Sequence, residues 1–129
     1  MKKMSEKKRF SLVARARSFN HAFRGIGIVF KTGHNFWVQL FIALIAFFLG
    51  VFLKISHIEW TILVLSMGSV LVAETFNTAI EIDIDLTSPD HHPYARDTKD
   101  VSAGAVLISS FVALIIGLII FIPKIILLF

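Results

Sequence analysis

Four side chains have types and spacing suited to chemistry: Glu74, Asn77, Glu81 and Asp85, all within "VLVAETFNTAIEIDID" (70–85). A helix advances about 100° per residue. With Glu74 at zero, Asn77 falls at roughly −60°, Glu81 at roughly −20° and Asp85 at roughly +20°. The four share one face over about 16 Å of helix, and Asp83 falls on the opposite face. Apolar residues precede them. An ionised group near a bilayer centre costs roughly 2.5–3.5 kcal/mol, and such groups face an interior or a cavity. Asp83 reads as part of the solvated end of the helix. Glu74 and Asn77 lie too far inside the apolar block for that. A carboxylate there can act as a general base, hold a divalent cation or belong to a proton path. A second carboxylate two turns away, with an amide between, suits phosphoryl transfer. In that chemistry a metal bridges phosphates and a base takes the proton of the attacking hydroxyl.

The elements that must position this stripe are helices. Three apolar blocks run from Phe36 to Leu53, from Ile58 through the stripe, and from Val101 to Ile122. About 18 residues or more of this kind suffice to cross a bilayer. Ahead of them, Leu12, Ala16, Phe19, Phe23, Ile26 and Phe30 recur at steps of four and three, beside a polar stripe of Arg17, Asn20, Arg24, Gly27 and Lys31. That pattern predicts an amphipathic helix lying in a membrane interface. The expected fold is an all-α integral membrane protein, one domain over 1–129. It comprises a basic tail (1–9), a surface helix (10–32) and three transmembrane helices (36–53, 58–85 and 100–122). "TSPDHHPYARDTKD" (87–100), punctuated by Pro89 and Pro93, is expected as a polar loop. Pro123 and Lys124 are expected to stop the last span.

Composition agrees. The 129 residues are 56% hydrophobic and only 17% charged, against about 25% charged in ordinary soluble domains. Mean hydropathy is +0.78. With no cysteines, disulfides and thiolate zinc sites are excluded. The net charge is +4, and the basic residues crowd ahead of the first span: Lys2, Lys3, Lys7, Lys8, Arg9, Arg15, Arg17, Arg24 and Lys31, against Glu6 alone. Basic residues stay on the cytoplasmic side. The N-terminus and the 87–100 loop are therefore expected inside, the Lys54–Trp60 connector and the C-terminus outside. No secretory signal peptide is read, because the first long apolar block starts only near Phe36 and no small-residue cleavage site follows it. Small residues in the third span (Ser102, Ala103, Gly104, Ala105, Ser109, Ser110, Gly117) favour close helix approach and oligomerisation. His91 and His92, with no partner at ligand spacing, read as solvated loop residues. Trp37 and Trp60 stand at span ends, where aromatic belts form.

"AETFNTAIEIDID" followed by "KDVSAGAVL" resembles the prokaryotic diacylglycerol kinase family, which includes the undecaprenol kinases of Gram-positive bacteria. The family pattern E-x-x-N-[ST]-A-[IV]-E-x-x-x-D is met by Glu74, Asn77, Thr78, Ala79, Glu81 and Asp85. Lys99, Asp100, Ala105, Val106 and Leu107 fit the second motif. "HPYAR" (92–96) is similar to the "HPLAK" text of the Gram-positive branch. The likeness extends from about Arg17 to Ile122.

The resemblance implies a homotrimeric membrane enzyme that uses ATP and magnesium to phosphorylate a lipid alcohol, undecaprenol rather than diacylglycerol by the loop text. By position, Glu74 would be the catalytic base and Glu81 the magnesium ligand. Asn77 would position Glu74 and the phosphates. Lys99, Asp85 and Asp100 would serve the nucleotide, joined by Arg17 and Arg24 from the surface helix. No P-loop G-x-x-x-x-G-K-[ST] is present, an absence that fits this family. Two positions depart. Gly33 in "KTGHNF" stands where the family carries a Glu that shares the metal, and Gln39 stands where the Gram-positive branch shows His. Glu81 with phosphate oxygens and water could suffice, since magnesium keeps several waters. His34 or Glu6 could substitute, or the protein could be a weak or inactive homologue. On this reading Gly33→Glu should lower the magnesium requirement. A small transporter or channel subunit with an acidic ion path would explain Glu74 but not the Lys99–Asp100 pair or the basic surface helix. A non-catalytic scaffold is the third class.

Overall fold

The computed structural model describes residues 9–129. They form four helices: α1 (Leu12–Thr32), α2 (His34–Phe52), α3 (His57–Thr87) and α4 (Pro93–Ile126). No strand occurs among the described residues. Three helices are long and apolar enough to cross a membrane, over Asn35–Phe52, His57–Thr87 and Pro93–Ile126. The all-helical membrane architecture expected from the sequence is the one observed.

Three of the four helix starts have a side-chain cap. Ser11 accepts a hydrogen bond from the Ala14 amide and opens α1. Ser56 and Glu59 exchange bonds with each other's backbone amides and open α3 as a capping box. At α4 the structure departs from expectation. The stretch 87–100 is not a loop throughout, because α4 begins at Pro93 and only 88–92 separate it from α3. Proline suits the first turn of a helix, where its missing N–H breaks no bond. His92 supplies the cap, its Nδ1 accepting from the Tyr94 amide at 3.1 Å. The other end also differs, since α4 runs through Pro123 to Ile126. Lys124 pairs with Glu59 at 3.2 Å, tying the end of α4 to the start of α3.

The turn between α2 and α3 is a Schellman motif. The Ile55 amide donates to the Gly50 carbonyl at 3.2 Å and the Lys54 amide to the Val51 carbonyl at 3.3 Å. Lys54 takes the left-handed conformation this requires, at φ 52°. Ile55 then folds into the best-packed part of the molecule, with Leu63, Ile120 and Phe121, flanked by Trp60, Leu49 and Met67. Trp60 lies flush against Gly50, where an added Cβ would stand 2.8 Å from its ring. At the opposite end Trp37 donates to the Phe30 carbonyl at 2.7 Å, and Phe30, Phe36 and Trp37 meet edge to face. That cluster holds the surface helix α1 against the start of α2.

Among the described residues no large side chain is completely buried, and apolar residues such as Phe41, Phe48, Leu65, Ile108 and Ile119 face outward. Such a surface in water would be untenable; in a bilayer it is the ordinary state of a thin bundle. α3 packs mainly on α4, with α2 and α1 added at its side.

Candidate active site

The polar stripe lies on α3 as the helical wheel places it, but burial divides it. Glu74 is 3% exposed and Asn77 7%, while Glu81 and Asp85 are open. Asp83 is exposed as well. Two turns separate Glu74 from Glu81, about 10 Å along the axis, so one acid sits in the bundle and the other at its polar end.

Each buried member is held from a neighbouring helix. Gln39 of α2 donates its Nε2 hydrogen to Glu74 Oε2 at 3.0 Å. Thr78 donates to the Glu74 backbone carbonyl at 3.0 Å, so its hydroxyl does not compete for the carboxylate. Glu74 Oε1 therefore remains available, with no hydrogen bond from a described residue. Asn77 donates Nδ2 to Glu81 Oε1 at 3.2 Å and accepts at Oδ1 from Ser102 of α4 at 2.6 Å. In the sequence reading Gln39 enters only as a departure from the family text and Ser102 only as a small residue of the third span. Their partnerships cross between helices, and no spacing along one chain segment encodes them.

Gln39 also leaves a signature of its own: its Oε1 is buried without a partner. Buried polar atoms are nearly always paired, so an orphan of this kind marks strain or function. Gln39 lines an apolar cavity of about 580 Å³ that runs beside α2 from Gln39 to Leu49 and is walled by α3 and α4, including Val70, Ala113 and Phe121. The orphan acceptor of Gln39 thus stands at one end of an open apolar groove, and Glu74 lies behind it, one hydrogen bond away.

Beyond Glu81 the site becomes charged. Lys99 forms an ion pair with Asp85 across the α3–α4 turn. Asp100 pairs with Arg96 at 3.9 Å, both well exposed, which makes that contact weak. These four line a second cavity of about 330 Å³ together with His91 and His92. The structure therefore brings Asp85, Lys99 and Asp100 together. Arg17 and Arg24 are exposed on α1 and make no ion pair with the stripe among the described residues.

Residue 33 caps the end of α1 and the start of α2. A Cβ there would fall 2.8 Å from the Val29 carbonyl oxygen and 3.2 Å from Phe36 Cβ. The corner has closed over the space that a side chain would need. Among the described residues no three His, Cys, Asp or Glu side chains form a metal-binding group. Glu6 and the His34 side chain, the sequence's two substitutes, lie outside what is described. One exposed, oriented carboxylate still fits magnesium, which takes one or two carboxylates and completes its shell with phosphate oxygens and water.

Comparison with known proteins identifies the family. The family model described as "Prokaryotic diacylglycerol kinase" matches residues 20–121. An "Undecaprenol kinase" of Bacillus subtilis (strain 168) is 42% identical over 108 residues, 84% of this chain and 88% of the relative. A "Diacylglycerol kinase" of Synechocystis sp. is 34% identical over 101 residues, 78% of this chain and 58% of that protein. A third, a "Diacylglycerol kinase" of Helicobacter pylori, is 28% identical, covering 77% and 83%. The choice among kinase, transporter subunit and scaffold is thereby decided: this chain belongs to the prokaryotic diacylglycerol kinase family.

Proposed function

We propose that the protein transfers the terminal phosphoryl group of ATP to the hydroxyl of a membrane lipid alcohol, undecaprenol in preference to diacylglycerol. The observation that carries this is a buried carboxylate, Glu74, with one oxygen held by Gln39, the residue that lines the end of an apolar groove, and the other without a hydrogen bond from a described residue. The preference for undecaprenol follows the 42% identity to a protein of that activity. We place the enzyme in the cytoplasmic membrane as a homotrimer with its N-terminus inside. The basic crowding ahead of α2 and the outward apolar faces support that placement.

The lipid tail lies along the apolar groove, which brings its hydroxyl to Glu74. Glu74 Oε1 takes the hydroxyl proton as the oxygen bonds to the γ-phosphorus. The bond from that phosphorus to its bridging oxygen breaks, and ADP leaves with the electron pair. Gln39 keeps the base oriented throughout. Lys99, steadied by Asp85, neutralises phosphate charge, and Asp100 borders the same cavity. Arg17 and Arg24 approach the nucleotide from the surface helix. Glu81, held by Asn77, would hold magnesium, which when bound offsets charge on the phosphate oxygens.

The test is purified protein in micelles with magnesium ATP and either undecaprenol or diacylglycerol. Phosphorylation of undecaprenol at the higher kcat/KM is expected, and no lipid phosphorylation with any divalent metal would sink the proposal. Glu74→Gln is expected to lower kcat by about 10²-fold or more with folding intact, the range for a lost general base.

A further inference from the structure

The helical hydroxyls of this protein mostly turn back on their own helix. Those of Thr61, Ser66, Ser69, Thr75, Thr78 and Thr98 each donate to a backbone carbonyl three or four residues earlier, the usual habit of Ser and Thr inside helices. Ser102 does otherwise. It is 7% exposed in the second turn beyond Pro93–Ala95, and its Oγ donates across to Asn77 Oδ1 on α3 at 2.6 Å.

An amide has a donor end and an acceptor end, and the two are nearly identical in shape. What fixes the orientation of Asn77 is therefore its partners. Glu81 Oε1 accepts at the donor end, at 3.2 Å. Ser102 supplies the proton at the acceptor end, from another helix. Without it, the buried carbonyl oxygen loses its partner and the amide loses its tether to α4. The amide would then follow Glu81, an exposed side chain, instead of restraining it.

We propose that Ser102 is a positioning residue for the metal ligand: through the Asn77 amide it holds the Glu81 carboxylate with Oε1 engaged and Oε2 presented to a divalent cation. This rests on the reading of Glu81 as that ligand. It gives a serine, previously only one of several small residues in the third span, a part in ion binding. It also makes ion affinity sensitive to the α3–α4 contact. With no carboxylate at residue 33, coordination depends more on how well Glu81 is held.

The test uses the full chain in micelles, with Mn2+ as the probe and a non-hydrolysable ATP analogue, free Mn2+ being read by electron paramagnetic resonance. Ser102→Ala should weaken Mn2+ binding about fivefold, the size of one lost neutral hydrogen bond. Ser102→Thr, which keeps the hydroxyl, should restore it. In an Asn77→Ala background Ser102→Ala should add nothing, because its route to Glu81 is already cut. An equal loss in both backgrounds would show a packing effect and overturn the proposal, as would wild-type affinity in Ser102→Ala. Glu81→Gln separates the two levels. If it abolishes Mn2+ binding while Ser102→Ala does not change it, only the role of Ser102 falls. If Glu81→Gln leaves binding intact, the ligand reading falls, and this proposal with it.

Discussion

At Glu74 the two carboxylate oxygens have different company: Oε2 takes the Gln39 amide, and Oε1 has no hydrogen bond from a described residue. Gln39→Met keeps the volume and removes the donor. A hydrogen bond to a charged group contributes about 1.5–3 kcal/mol, so kcat should fall about 10-fold or more, with the nucleotide KM unchanged in steady-state assays. Gln39→His keeps an N–H donor and should retain most of the rate. The stability lost when Glu74 Oε2 is left without its donor should be offset in part, since Gln39→Met also removes a buried acceptor that has no partner. A thermal scan beside the kinetics checks both halves. A merely structural glutamine would lose stability first. The stripe itself was legible in the sequence, because residues at steps of three and four meet on one helix whatever surrounds it. The roles of Gln39 and Ser102 were not. Which α2 and α4 residues reach Glu74 and Asn77 depends on how three helices pack, and no local pattern records that.

Among the elements, the α1–α2 corner changes an expectation. Read as sequence, Gly33→Glu simply returns a missing ligand. In the structure the new Cβ meets the Val29 carbonyl at 2.8 Å, a backbone atom that cannot rotate away. The corner must open, and overpacking of this kind costs about 1–3 kcal/mol. Gly33→Glu is therefore expected to lower the unfolding temperature in detergent without lowering the magnesium concentration for half-maximal rate. A lowered requirement at unchanged stability would show that the corner gives way freely. The start of α4 was misread for a different reason. "HHPYAR" carries both a capping histidine and a first-turn proline, but proline in a polar stretch signals loop and helix start alike. What decides is the helix that follows, whose polar first turns continue an apolar run. The consequence is functional: Arg96, Lys99 and Asp100 ride on a rigid helix rather than a loop.

For the whole molecule, helix lengths set the placement of the site. α2 has 19 residues, α3 31 and α4 34, or about 28, 46 and 51 Å. The hydrocarbon layer is about 30 Å thick. α2 matches it, whereas α3 and α4 continue together past it, carrying Glu81, Asp85 and Lys99 with them. Their other ends are pinned by the Lys124–Glu59 pair and the packing of Trp60 on Gly50. One pair of helices is thus a fixed ruler across the phase boundary, with the buried Glu74 and the exposed Glu81 two turns apart on it. A ruler of fixed length reads the thickness of what it spans. In vesicles of longer-chain phosphatidylcholine the boundary should rise along α3 toward Glu81, and hydrophobic mismatch should reduce turnover. In thinner bilayers Glu74 should approach the headgroups and admit water. Turnover measured across a chain-length series should therefore peak at an intermediate thickness, and a flat profile would show that the bundle tilts to follow its membrane.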